Sequence, residues 1–400
     1  MQPADRIAAA PLFDPVANAR DLQPWLLEQA GRIEAANRIP DDVAERLVDA
    51  GLFRMTLPAR HGGLECCPSV AWQAVFEVAR GCSSCAWLVG LITANILMIG
   101  KFSAAAQDDV FGQGQPAIVP MLTGGVGHGI TVTPVDGGIR LSGNWRYASG
   151  VDVASWLGLL VDRPEGDGVV PTLVMVPQTA FAIDHDSWNV LGMRGTGSKN
   201  VRLDEVFVPR HLFMDWAVLQ AGGRHPDCPN TAPVYDYPLN PVFAMSVGAP
   251  TLGVAAAVAE TYRDVVGRRV NSGTKVAQIE DRGSWIRLAA AEAVMSMAQD
   301  TLIRDAALIT GHCDSGLEVP LDARARVRMR TARATALALT EAQGIFRSVG
   351  GSLLPTGTRI ERLFRDVHAM SSHFLLAEDP IGEIYGRLLL GLELPPGARI

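Results

Sequence analysis

Helical periodicity at both ends and a β-rich middle predict an α+β multidomain chain. The expected units are an N-terminal helical domain over 1–118, a central β-barrel or sandwich over 119–215 and a C-terminal antiparallel helical bundle over 216–400. Three observations carry this. Apolar residues recur at helical spacing through the first stretch. Short alternating runs with turn signals fill the chain from Pro120 to Pro209. From Pro241 the helical period returns and holds almost to the end. Strands and helices therefore do not alternate, which excludes a Rossmann-type sheet.

The elements follow in order. Pro40 sits at a helix start, with Asp41 and Asp42 in the first turn, where negative charge suits the helix dipole. Val43, Leu47 and Val48 share one face and Gly51 stops the helix. Further helices are expected over 70–79, over 82–99 and, briefly, over 104–111. In the middle, Ile130 to Thr133 and Ile139 to Ser142 alternate around Asp136-Gly137-Gly138, a hairpin signal. Strands are also expected over 157–161, 171–176 and 201–208. Near the C-terminus Val327, Thr331, Ala334, Ala338, Ala342, Ile345 and Val349 form one helical stripe that Gly350 and Gly351 end. Ala-rich faces of this kind point to a tightly packed bundle and to a chain that buries further faces by assembling with copies of itself.

Composition narrows the function. Hydrophobic residues make up 48% and charged residues 19%, enough apolar material for a large core, so disorder is excluded. The formal net charge is −7 and no Lys/Arg stripe is present, which argues against a nucleic-acid partner. Six scattered cysteines in 400 residues do not form a disulfide framework. Cys82-Ser83-Ser84-Cys85 opens an apolar helix and lacks a second pair at zinc spacing, so it reads as structural, and no metal site is expected. The first fifteen residues lack a basic start and a long apolar stretch, and the apolar segment 86–100 is too short to span a bilayer. A cytoplasmic protein with no membrane partner is expected.

Common catalytic motifs fail. GxxxxGK[ST], HExxH and GxSxG are absent, and the run Gly124-Gly125-Val126-Gly127-His128-Gly129 leads into a strand rather than a helix N-terminus. Three other segments hold more chemistry. In Gly143-Asn144-Trp145-Arg146-Tyr147-Ala148-Ser149-Gly150, two aromatics beside a small Ser-Gly pair can wall a flat ring and offer one hydroxyl. The same residues also fit a tight corner of a β core. Gly192-Met193-Arg194-Gly195-Thr196-Gly197-Ser198 is a turn whose N–H groups and hydroxyls can hold a polar ligand, or simply turn the chain. Arg365-Asp366-Val367-His368 and, five residues on, His373 form the densest polar cluster near the C-terminus. Two imidazoles there serve either proton transfer or a solvated helix face.

These segments, in this order, resemble the acyl-CoA dehydrogenase-fold flavoproteins over nearly the full chain. Ile39-Pro40-Asp41-Asp42, Ala50 to Phe53, Leu57-Pro58 and Gly62-Gly63 resemble their N-terminal helical signature. Met193 to Ser198 running into Asp204 to Pro209 resembles their central strand. Gly350-Gly351 with Arg362 and Arg365-Asp366 resembles their C-terminal helix pair. Two chemistries compete within that superfamily. A dehydrogenase needs a carboxylate base to strip the α-proton of an acyl-CoA, and many members carry a Glu just after the Arg-Asp helix. Here that stretch reads Ser372-His373-Phe374-Leu375, and only Glu260 or Glu292 on other helices remain as substitutes.

The resemblance is stronger to the two-component flavin-dependent monooxygenases, the oxygenase components that hydroxylate 4-hydroxyphenylacetate, phenolic steroid intermediates or indoles. Their W-x-[FY]-x-S-G segment falls on Trp145, Tyr147, Ser149 and Gly150, and their histidine after the Arg-Asp pair falls on His373. The resemblance implies a small aromatic substrate, O2, and reduced flavin (FADH2 or FMNH2). In the absence of a dinucleotide motif, that flavin comes from a separate NAD(P)H flavin reductase. It implies that Ser149 hydrogen-bonds flavin N5, that His373 acts beside the reacting oxygen, and that Arg194, Ser198, Gly350 and Gly351 join the cofactor site. Arg269, followed by Ser272 and Gly273, resembles the arginine that reaches the flavin phosphates of a neighbouring subunit in a homotetramer. Asn95 and His368 are the further substrate-side candidates.

Overall fold

A computed structural model describes residues 13–112, 117–124, 127–270, 275–395, 398 and 400. Ser272, Gly273 and part of the glycine-rich run after Gly124 lie outside the described residues.

Five helices come first: α1 (Pro15–Ala36), α2 (Asp41–Asp49), α3 (Pro68–Gly81), α4 (Ser83–Ile99) and α5 (Ala104–Phe111). Asp14 caps α1 through its side chain, accepting from Val16 N and Ala17 N. The sequence placed α3 over 70–79; it begins two residues earlier, because Pro68 can occupy the first turn, where its missing N–H costs nothing. Almost every side chain of α4 is buried, as its all-round apolar composition requires.

The strands are β1 (Met121–Leu122), β2 (Gly127–Val135), β3 (Gly138–Ala148), β4 (Trp156–Glu165), β5 (Gly168–Pro177), β6 (Ala182–Asp184), β7 (Lys199–Pro209) and β8 (Phe213–Asp215). Among the described residues they form two four-stranded sheets, ordered β1-β4-β5-β8 and β2-β3-β7-β6. The expected hairpin is β2–β3: Val135 pairs with Gly138 across Asp136-Gly137, and Gly137 has φ +75°. β3 loses register against β7 between Trp145 and Ala148. That irregularity sets the side chains of the site.

The chain then runs through α6 (Trp216–Gln220), α7 (Leu239–Arg268), α8 (Arg282–Asp314), α9 (Leu321–Ser348), α10 (Arg359–Ser371) and α11 (Glu378–Leu389). α7 is long and apolar enough to cross a membrane, but 94% of its apolar window is buried inside the protein. It is the central post of the helical core. Neighbouring helices approach it closely at glycines: a Cβ on Gly90 of α4 would lie 2.4 Å from Ser246 O, and one on Gly253 would lie 2.6 Å from Phe76 O of α3.

Candidate active site

The end of β3 builds the first wall. Strand alternation would give Trp145 and Tyr147 one shared face. The bulge separates them, because Tyr147 adopts a left-handed φ of +70°. Trp145 turns into the β core, 1% exposed, while Tyr147 stands 55% exposed and faces Trp188 edge-on at 6.4 Å. Ser149 and Gly150 follow. Gly150 is also left-handed (φ +75°), and a Cβ there would meet Leu88 Cδ1 at 2.3 Å, so only glycine fits.

The turn from Gly192 to Ser198 supplies the second wall. It lies hard against α10: a Cβ on Gly192 would sit 2.4 Å from Arg365 O, and Met193 N donates to Asp366 Oδ1 at 2.7 Å. Asp366 is buried, and that burial raises its pKa even though Met193 N and Ser83 hydrogen-bond it. Arg365 pairs with Glu361 and Glu34, and Arg362 pairs with Glu34, which fixes α10 to α1. The turn is thereby held from behind. In front, three hydroxyls line up: Ser149 Oγ lies 2.8 Å from Ser198 Oγ, and Ser198 Oγ lies 2.7 Å from Thr196 Oγ1.

The helical parts close the space. Trp87, Leu91 and Asn95 reach it from α4, Phe243 from α7, and His368, His373 and Phe374 from the end of α10 and the segment after it. The result is a cavity of about 750 Å³, the size expected for a ring cofactor or drug-sized ligand. Among the described residues lining it there is no Asp and no Glu.

His373 packs edge-on against Trp87 with ring centroids 5.5 Å apart, and its Nδ1 accepts from Leu375 N at 3.4 Å. Nε2 therefore carries the proton of the neutral ring. Burial lowers the imidazole pKa to about 4, so it is uncharged at neutral pH. His368 is different. Its Nδ1 donates to Phe364 O at 2.7 Å and its Nε2 lies 2.9 Å from Gln343 Nε2, so both nitrogens are engaged. Asn95 donates to Val119 O at 2.8 Å.

Of the residues singled out in the sequence, Tyr147, Ser149, Ser198, Asn95, His368 and His373 line this one cavity. Trp145 and Gly150 lie behind its wall. Arg194 is exposed on the far side of the turn, where its Nε donates to Val190 O. Arg269 sits elsewhere, donating to Val349 O beside Gly350, whose Cβ position would be 2.8 Å from its guanidinium. Gly351 follows in the same corner. Thr196, Trp87, Arg146, Trp188 and Phe243 also line the cavity and were not singled out. Thr196 lies inside the Gly192–Ser198 segment and was within reach of the sequence. Arg146 likewise lies inside the Gly143–Gly150 segment, whereas Trp87, Trp188 and Phe243 come from long-range packing that no local pattern reveals.

The residues fit a flavin ring. A deep, mostly apolar slot is flanked by aromatics, and one wall carries a buried hydroxyl with close backbone on both sides. The architecture is that of the acyl-CoA dehydrogenases: their N-terminal domain family matches residues 20–111 and their C-terminal domain family matches residues 245–378. The chain is 34% identical over 367 residues to the flavin-dependent monooxygenase oxygenase subunit HsaA of Rhodococcus jostii, covering 90% of this chain and 93% of that one. It is 29% identical to the oxygenase component of an FADH2-dependent resorcinol hydroxylase of a Rhizobium species, over 98% of this chain and 97% of that one. The crystal structure of the 3-HSA hydroxylase of a Rhodococcus species superposes with a TM-score of 0.89 at 30% identity, covering 96% of this chain and 98% of that one. The chain belongs to the acyl-CoA dehydrogenase family and, within it, to the oxygenase subunits of the flavin-dependent monooxygenases.

Proposed function

We propose that this protein hydroxylates a small phenolic or indole-type ring, using O2 and reduced flavin delivered by a separate NAD(P)H-dependent reductase. One observation carries the reading. The cavity joins a buried hydroxyl, Ser149, and a neutral imidazole, His373, and its described lining contains no carboxylate. An acyl-CoA dehydrogenase needs a carboxylate base. Glu260 is instead paired with Arg80 at 2.7 Å, and Glu292 is exposed on α8.

Reduced flavin, when bound, supplies the electrons that let one atom of O2 enter the ring while the other leaves as water. Ser149 holds flavin N5 in this reading. Trp87, Leu91, Phe243 and Met193 keep water from the reacting face. His373 acts beside the reacting oxygen through its Nε2–H, which can donate a hydrogen bond to an oxygen in the cavity, since its Nδ1 lone pair is already held by Leu375 N. Asn95 and His368 border the substrate space. His368, with both nitrogens engaged by Phe364 O and Gln343, shapes that space.

Two finer points belong to the same reading. The protein is a homotetramer, which the exposed Trp285, Ile286 and Met297 of α8 support. Arg269, at the Gly350–Gly351 corner, reaches the flavin phosphates of a neighbouring subunit. The test is incubation with chemically reduced FAD or FMN, ¹⁸O2 and a panel of phenols and indoles. One ¹⁸O atom in a hydroxylated product is expected. No product across the panel, together with bleaching of bound FAD by an acyl-CoA, would overturn the proposal.

A further inference from the structure

We infer that the three-hydroxyl chain in the cavity wall is directional, and that its direction makes the site prefer reduced over oxidised flavin. The inference rests on the reading that Ser149 meets flavin N5.

The direction follows from counting protons. A hydroxyl has one proton to donate, and a carbonyl oxygen only accepts. Thr196 Oγ1 lies 2.8 Å from Met193 O, so Thr196 donates to that carbonyl. Its proton is then committed, and the 2.7 Å contact to Ser198 requires Ser198 to donate to Thr196. Ser198 in turn has no proton left for Ser149, so the 2.8 Å contact between them is Ser149 donating to Ser198. Ser149 therefore turns only lone pairs toward the cavity. The carbonyl of Met193, at the far end, sets the polarity of an atom three links away.

Burial keeps the direction fixed. Thr196 is 1% exposed, Ser198 4% and Ser149 9%, and a ring bound in the cavity they line covers what remains, so that no water competes as an alternative donor in the occupied site. The turn itself is clamped on α10 through Met193 N and Asp366.

The chemical consequence lies at N5. In reduced flavin N5 carries a hydrogen and is a donor. In oxidised flavin it carries a lone pair and accepts. An acceptor-only Ser149 pairs with the first and faces the second lone pair to lone pair, leaving two buried acceptors unsatisfied. Ser198 and Thr196 are thus positioning residues for redox-state selection, acting through Ser149. Such selection suits an oxygenase that takes flavin reduced elsewhere and must release it oxidised.

The test measures dissociation constants rather than turnover. Oxidised and dithionite-reduced FAD and FMN are each titrated, the reduced forms anaerobically, into the wild-type protein and into Thr196→Val, Thr196→Ser, Ser198→Ala and Ser149→Ala. The wild type binds reduced flavin more tightly. Thr196→Val frees the Ser198 proton to reverse the chain, and Ser198→Ala frees the Ser149 proton. Both narrow the oxidised-to-reduced Kd ratio by about tenfold, chiefly by improving oxidised binding. Thr196→Ser restores the wild-type ratio. An unchanged ratio in Thr196→Val and Ser198→Ala, or an equal loss of both affinities, overturns the directional chain. If Ser149→Ala still weakens reduced-flavin binding in that event, the placement of Ser149 at N5 survives. If Ser149→Ala changes neither constant, that placement falls as well.

Discussion

Tyr147 shows how much one backbone angle can decide. Its left-handed φ breaks the β3 alternation, sends Trp145 into the core and leaves Ser149 aimed at the cavity. The sequence marked Trp145 and Tyr147 as a joint aromatic wall. A bulge at a non-glycine residue leaves no compositional trace, so their separation was not legible. Ser149 was legible, because a small Ser-Gly pair just after two aromatics offers one hydroxyl and a close backbone approach. Ser149→Ala should lower reduced-flavin affinity by about threefold to tenfold and raise the hydrogen peroxide released per hydroxylated product. A peroxide assay beside product quantification checks this, and unchanged coupling would remove Ser149 from the chemistry. His373→Ala should reduce hydroxylation far more than flavin binding; an equal loss of both would make the residue structural. The pH profile separates the two roles of its imidazole. A histidine of ordinary pKa would bend kcat/KM near 6.5, whereas burial holds His373 near 4. The neutral form therefore dominates from pH 5 upward. The limb owed to this group should appear only as pH falls toward 4 and should vanish in His373→Gln. A bend near 6.5 that disappears in the variant would show the imidazole titrating normally.

At the scale of elements, the turn from Gly192 to Ser198 and the helix α10 act as one unit. Gly192 lets the turn touch the α10 backbone, Asp366 caps Met193 N, and Arg362 and Arg365 tie the helix to Glu34 of α1. Both halves were legible as separate motifs, a glycine-rich turn and an Arg-Asp pair. What bound them was not, since about 170 residues lie between Gly192 and Arg365 and no local period spans that gap. Arg194, which the resemblance assigned to the cofactor site, is exposed outside this cavity for the same reason: the clamp fixes which face of the turn meets the cavity. Gly192→Ala should force the turn and α10 apart. A loss of roughly 1–3 kcal/mol in stability is expected, with weaker reduced-flavin binding, because the hydroxyl-bearing residues move with the turn. Thermal melting and flavin titration on one preparation check both effects. A full-stability variant with normal binding would show that the contact is slack.

For the whole molecule, the order helix, sheet, helix was plain from the sequence because period 3.6 and period 2 differ over long windows. Less visible was how the long helices handle charge where they meet. Asp305 of α8 is 1% exposed and pairs with Arg330 of α9 at 2.9 Å, yet its second oxygen has no protein partner. Burial raises its pKa to about 6, against the opposing pull of Arg330, Arg326 and Arg304. The sign then follows. Between the ordinary carboxylate value and about 6, the folded protein holds a proton at this site that the unfolded chain has lost. Stability from this site is therefore full at acid pH, falls as pH rises toward 6 and stays low above it. Asp305→Asn keeps an acceptor for Arg330 and removes the buried charge. The variant should match the wild type near pH 4 and exceed it by roughly 2–3 kcal/mol at pH 7, read as a Tm difference that grows with pH. His373 contributes equally to both proteins and cancels from the comparison. Arg330 is partly exposed and can turn to water in the variant, so it adds little cost. A variant that melts below the wild type at pH 7 would instead mean that the ion pair outweighs the burial of its carboxylate, and that α8 and α9 are joined by charge as much as by their small apolar faces.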